Sequence, residues 1–329
     1  MIATSSPLWG SLSDAVGRRP VIVAATGLLA VPTLLAALAP NFGILLALRA
    51  LQGLLIPGLT AVAVALLGDH FSGAPLGAKV AGWIGATVVG GLSGRVLSGV
   101  IGTLVDWHAP FVLFGVLTAV AALLLARTLP DAPRPAAIRP LPDPREMLVH
   151  FRSRRLVGAF LIGGAVLFAF IAIFTFLPYY LTAPPFGLST ATVSAFYFAY
   201  VAGVVTSLLV PRFAGRIRER SLMAVGLLVA SAGVLGTLVP SVPAIATSLV
   251  VICVGMFLVQ ATAPAFVNVN AASAKGAAGA LYVTFYYLGA TLGSYLPGLA
   301  FQRWEWPGVV GACLLSLSAA FASNRWLCA

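Results

Sequence analysis

The sequence predicts an all-α polytopic membrane protein. Three observations carry this: ten long apolar stretches separated by short polar breaks, a composition that is 60% hydrophobic and 8% charged, and a mean hydropathy of +1.04. A run of about 20 apolar residues matches ~30 Å of hydrocarbon. A water-soluble core of this size carries several times more charge on its surface.

Taken in chain order, residues 1–12 are too short to span and read as the end of a helix. Met1-Ile2-Ala3-Thr4 lacks the basic start and apolar core of a secretion signal. Hydropathy and flanking breaks then predict complete spans at 20–38, 42–67, 77–104 and 110–129, and at 156–181, 189–212, 221–239, 243–266, 276–301 and 307–327. The Pro- and Arg-containing stretch 130–155 between the two groups reads as a cytoplasmic linker. The predicted organisation is thus a helical bundle over 1–129, a linker over 130–155 and a six-helix bundle over 156–329.

The net charge of +11 raises the question of a nucleic-acid partner, and its distribution answers it. Of 19 basic residues, 16 fall in alternate loops, beginning with Arg18 and Arg19, and one, Arg303, falls in the opposite set. This bias sets orientation, with the Arg18-Arg19 turn in the cytoplasm, and leaves no basic face for nucleic acid. Cys253, Cys313 and Cys328 lie in apolar segments without metal or redox spacing and read as core residues. No catalytic cluster, phosphate loop, metal site or cofactor motif is present, so neither an enzyme nor an ATP-driven pump is predicted.

The chain also repeats itself. Thr87–Gly99 aligns without a gap on Tyr286–Gly298, placing Gly90 on Gly289 at a separation of 199 residues. At that separation Asp106-Trp107 falls on Glu305-Trp306, and within one residue of it Gly17-Arg18 falls on Gly215-Arg216. Two homologous halves explain three landmarks sharing one offset. The second half has about 56 residues between Leu156 and its basic turn, whereas Asp14 has 13 before it, so about 43 residues of the pattern are expected to be absent from the first half.

Gly10-x-Leu12-x-Asp14-x-x-Gly17-Arg18-Arg19 resembles the signature loop between helices two and three of the major facilitator superfamily, and Arg49-x-x-Gln52-Gly53 resembles the motif on its fourth helix. The resemblance implies a two-bundle fold of twelve helices, here with ten complete spans and without the first helix and most of the second. It implies a secondary active transporter working by alternating access in a bacterial inner membrane. It is closest to efflux members that exchange protons for a small molecule. An inactive truncated remnant and an importer of a small organic anion stand as alternatives. No further partner beyond substrate, protons and lipid is expected, and the chain is expected to be a monomer.

The resemblance makes Gly10, Asp14, Gly17, Arg18 and Arg19 a conformational latch, with Asp14 accepting backbone hydrogen bonds or pairing with arginine across the bundle interface. Two departures qualify it: Arg212 stands where the second signature loop would place an acid, and Gly94-Arg95 replaces the Gly-Pro pair of many drug antiporters. Arg49 and Arg95 lie inside predicted spans, at similar depth on adjacent helices. A cation there faces a cavity or a partner. The resemblance assigns Arg49, with Gln52, to structure and proton coupling, while Arg95 is divided between substrate contact and structural pairing. Gly90, Gly94, Gly289 and Gly293 have the spacing that lets helices approach closely. Pro57, Pro178, Pro264 and Pro297 are expected to bend their helices. Tyr282, Tyr286 and Tyr287 recur near one helix face, lining a cavity or packing in the core.

Overall fold

The structure is a computed structural model that describes residues 2–70, 73–130, 149–213, 216–271 and 275–328, with some helical side chains, Asp14 among them, outside the description. The described residues are helical, without a strand. This is what a bilayer requires of an apolar chain, since a helix satisfies its own backbone.

In order, the helices are α1 Ile2–Val16, α2 Arg18–Ala36, α3 Phe42–His70, α4 Gly73–Leu104, α5 Ala109–Thr128, α6 Arg154–Thr182, α7 Thr190–Leu209, α8 Glu219–Gly236, α9 Val242–Asn270 and α10 Lys275–Trp326. A 3-10 turn at Phe196–Phe198 interrupts α7. Among the described residues, eight helices are long and apolar enough to cross a membrane. The count differs from ten for two reasons. The apolar described part of α4 is Val89–Leu104, and α10 carries the last two expected spans as one 52-residue element. A straight helix of that length would run ~78 Å, more than twice the hydrocarbon thickness. Glu305, with φ 50 and ψ −141, breaks it into two arms.

The expected stub over residues 1–12 is longer. Helix α1 runs to Val16, and the polar turn after it shrinks to Gly17 alone. Most of the expected linker, 131–148, lies outside the described residues.

The chain divides into two compact units, Met1–Leu141 and Pro142–Ala329. In the first, α2 packs on α3 and α5, with α1 against α2 and α3. Its core joins Val21 and Ile22 to Val62, Ala63 and Leu66, with Trp9 and Leu125 against them. The Trp9 indole donates to the Leu54 carbonyl at 2.7 Å, and a Cβ on Gly58 would lie 2.5 Å from the Ala25 methyl and 2.8 Å from the Trp9 ring, so α1, α2 and α3 meet beside Pro57.

The second unit has a larger core built from α6, α9 and α10 with contributions from α7 and α8. Its tightest seam is between α6 and the first arm of α10. A Cβ on Gly289 would lie 1.9 Å from the Gly164 carbonyl oxygen, and one on Gly293 would lie 2.3 Å from that of Phe168. Pro178 has no N–H for the Phe174 carbonyl one turn earlier. The Tyr197 hydroxyl of α7 donates to that oxygen instead, at 3.0 Å. Beyond Glu305, the Trp306 indole donates to Thr237 at 3.2 Å and stacks on Tyr180 at 4.8 Å, fastening the second arm of α10 to α6 and α8.

Candidate functional site: the basic turn and the polar groups inside the helices

Gly17 has φ 109 and ψ 153, a conformation that side chains strongly disfavour, and its N–H donates to the Ser13 carbonyl at 3.0 Å. This one-residue break delivers Arg18 and Arg19 directly into the first turn of α2. Arg18 Nε donates to Asp69 Oδ2 at 2.9 Å, at the far end of α3, and its Nη1 donates to the Ser13 hydroxyl. Arg19 Nη2 donates to the Ala126 carbonyl in the last turn of α5 at 2.7 Å. The two arginines therefore tie one turn to two other helix ends. Gly10 supplies the carbonyl that takes the Ser13 hydroxyl at 2.7 Å. The expected role of the Asp14 side chain lies outside the described residues. Asp69 was not among the expected site residues. Its signal was available: it is one of eight acids in the chain and stands in the last turn of a long apolar helix.

Arg49 and Gln52 come together as their spacing on one helix face requires. Arg49 Nη1 donates to Gln52 Oε1 at 3.0 Å, and Gln52 Nε2 donates to the Thr33 hydroxyl of α2 at 2.9 Å. The Thr33 hydroxyl in turn donates a hydrogen bond to the Leu29 carbonyl at 2.7 Å, completing a directed chain. The Arg49 guanidinium also sits 4.8 Å from the centre of the Phe111 ring on α5. A cation over an aromatic face gains roughly 0.5–2 kcal/mol, more as water leaves. Gln52 is 5% exposed, so this chain is the polar interior of the first unit.

Arg95 follows a different course. Its Nη1 donates to the Gly91 carbonyl one turn back on its own helix, at 3.1 Å, and its side chain is exposed. The hydrogen bonds of Arg49 and Arg95 thus run to different partners.

In the second unit Tyr282 is 6% exposed, and its ring lies over Gly163, where a Cβ would come within 2.5 Å of it. Tyr282 stacks on Tyr286 with ring centres 6.0 Å apart, and Tyr287 meets Tyr286 edge-on at 5.8 Å. The Tyr286 hydroxyl donates to Gln260 Oε1 of α9 at 3.0 Å. Gln260 was also missed. A single amide in a long apolar stretch is its only sequence signal. Among the described residues, no group of three or more His, Cys, Asp or Glu could hold a metal ion. These constellations offer hydrogen bonds that can be exchanged, not a nucleophile with a base.

Comparison with known proteins gives the same direction. A family model described as Major Facilitator Superfamily matches residues 1–294. A Bacillus subtilis (strain 168) protein named as an MFS-type transporter, YybF, is 28% identical over 99% of this chain and 81% of its own length. The inner membrane transport protein YnfM of Escherichia coli (strain K12) is 30% identical over 97% of this chain and 77% of its own length. A solved bacterial homologue of the human lysosomal transporter Spinster, inward-facing and occupied, has the same fold. It superimposes with a TM-score of 0.70 over 98% of this chain and 82% of its own, at 17% identity.

Proposed function

Because the chain belongs to the Major Facilitator Superfamily, a multi-pass membrane transporter family without enzymatic activity, we propose that it exports a small molecule in exchange for protons. The reading places it in a bacterial inner membrane, as a monomer that works by alternating access through two bundles joined by a linker over 130–155. Gly10, Asp14, Gly17, Arg18 and Arg19 form the latch. Arg49, Gln52, Arg95, Tyr282 and Tyr286 serve the substrate or proton pathway.

The observation that carries the reading is the tie between Arg18 and Asp69 beside Gly17. A partly buried ion pair of this kind, with Arg18 10% and Asp69 34% exposed, contributes on the order of 1 kcal/mol, and a tie to a carbonyl such as that of Arg19 about 1 kcal/mol. Several such bonds hold the ends of α1, α2, α3 and α5 together while each remains cheap enough to break once per cycle. Arg49, Gln52 and Thr33 supply a directed hydrogen-bond chain inside the same unit, suited to relaying a change of protonation into a change of helix contact.

Inverted membrane vesicles carrying the protein test this. A substrate panel added to vesicles with an acid interior should dissipate the pH gradient with the intact protein. Arg18→Ala and Asp69→Asn should each lower that rate about tenfold, and the exchange Arg18→Asp with Asp69→Arg should recover part of it. Undiminished gradient dissipation in both single variants would remove the latch, and gradient-independent uptake would remove proton exchange.

A further inference from the structure

Among the buried polar atoms of the second unit that lack a hydrogen-bond partner among the described residues, the Gln260 amide is the one set beside a cluster of tyrosines inside an apolar helix pair. The Nε2 amide of this residue is shut off from solvent and has no hydrogen-bond partner among the described residues, although its Oε1 takes the Tyr286 hydroxyl. The backbone adds a second vacancy at the same point. Pro264 follows four residues later and has no N–H to give the Gln260 carbonyl. A buried amide donor and a carbonyl acceptor without its helical N–H thus occur on one residue, in the long apolar middle of α9.

Depth supports a ligand there. Gln260 lies ten residues from the cytoplasmic end of α9 and Tyr286 eleven residues into α10. Both lie ~15 Å from those ends, about half-way through the hydrocarbon. Polar groups at that depth without partners are costly, and they are kept where they meet a substrate. The surroundings define the rest of the molecule. The stacked rings of Tyr282 and Tyr286 offer a flat apolar face with hydroxyls at its edge. Among the described residues, the polar contact made within this cluster is the neutral bond from the Tyr286 hydroxyl to Gln260.

We infer that Gln260 and Tyr286 form a binding site for an uncharged planar compound bearing an amide or lactam group, whose oxygen takes the Gln260 Nε2–H and whose N–H meets the Gln260 carbonyl. This rests on the transport reading for its biological role, but its binding chemistry is testable apart from transport. The aromatic body of the compound lies against Tyr286, with Tyr282 behind it. A carboxylate finds no cation in this cluster and is disfavoured.

The test uses the whole protein reconstituted into phosphatidylethanolamine–phosphatidylglycerol vesicles. The probe is 2-quinolone, a bicyclic lactam, with naphthalene as the analogue of the same outline lacking both polar groups. Binding is measured by equilibrium dialysis against protein-free vesicles. Saturable binding is expected for 2-quinolone and none for naphthalene. Gln260→Met, which keeps length and loses the donor, should weaken 2-quinolone about tenfold or more. Pro264→Ala, which returns an N–H to the Gln260 carbonyl, should weaken it several-fold. Gln260→Met removes an unpaired buried donor but also the acceptor of the Tyr286 hydroxyl. The double variant Gln260→Met with Tyr286→Phe, which leaves neither group unpaired, should therefore unfold no earlier than the unaltered protein while still failing to bind 2-quinolone, a result that separates lost recognition from lost folding. Tyr286→Phe, assayed beside it, should weaken binding less because it removes only a neighbour of the recognised group. Absence of saturable 2-quinolone binding, equal affinity in Gln260→Met, or equal binding of naphthalene would overturn the site. Gradient dissipation by the latch assay without lactam binding would overturn the site alone, while lactam binding without any gradient dissipation would uphold the site and remove proton exchange.

Discussion

Gly289 and Gly90 share a position in the internal repeat, yet a methyl group would meet them very differently. On Gly289 it would press into the Gly164 backbone, which cannot swing aside, whereas around Gly90 nothing lies within 4 Å. Overpacking of this kind costs about 1–3 kcal/mol. Gly289→Ala should therefore unfold several degrees earlier in detergent, and Gly90→Ala should match the unaltered protein. Gly17 differs again, since its constraint is the backbone. Gly17→Ala should cost about 1–3 kcal/mol through strain alone, with Arg18 pulled away from Asp69 as a consequence. For Arg95, whose guanidinium reaches the Gly91 carbonyl of its own helix, we expect Arg95→Ser to fold normally by monodisperse chromatography but to transport poorly in inverted vesicles. Arg95→Lys should restore transport only in part, because the planar fork is lost.

Helix ends and interruptions are where the elements reveal how they are held. In α6, Pro178 and Tyr197 form a linked pair: the proline removes a helix bond and the phenol replaces it. Tyr197→Phe should cost about 1 kcal/mol in the presence of Pro178 and close to nothing beside Pro178→Ala, measured as a double-mutant cycle of unfolding free energies. At the start of α5, Asp106 accepts from the backbone N–H groups of His108 and Ala109 at 2.8 and 2.9 Å. The Ala109 bond first, then that of His108, holds its carboxyl below the usual range. Its folded pKa is depressed, so its stabilisation is present above the ordinary carboxylate pKa and is lost as pH falls through the folded value. Asp106→Ala should accordingly unfold slightly earlier than the unaltered protein at pH 7, with the difference vanishing under strongly acid conditions.

At the scale of the whole molecule, two observations bear on measurement. All three cysteines are buried. Just beyond the end of α10, burial pushes the Cys328 thiol up to about 11, outweighing the pull of Arg220 and Arg155 in the other direction. The thiolate is the reactive form. N-ethylmaleimide at neutral pH should thus label the folded protein slowly and all three thiols rapidly once it unfolds, and fast labelling of the native state would contradict this packing. The charge bias works at the same scale. Sixteen of the 19 basic residues lie on one predicted side, so protease or chemical modification from the cytoplasmic face of sealed vesicles should reach the arginine-bearing loops while Arg303 stays protected.

Composition and hydropathy were enough, by themselves, to determine that this chain is a membrane-spanning helical protein and roughly where its apolar segments lie, and charge placement set the expectation of which loops face the cytoplasm. These are sums over neighbouring residues, and the bilayer acts on such sums. The motif around Gly17 and the placement of Arg49 and Gln52 three residues apart on one helix face were legible for a related reason, since both depend on separations within a turn or two of helix. Tertiary structure alone decided that Arg18 meets Asp69, that Gln52 reaches Thr33, that Arg49 lies over Phe111 and that Tyr286 meets Gln260. It also decided that residues 10–16 continue a helix and that α4 and α10 carry similar glycines into unlike surroundings. The helices concerned are apolar on every side, so no periodicity marks the face that meets a neighbour. Rotation about each axis is fixed only when the helices pack, and the partners of buried polar groups are fixed with it.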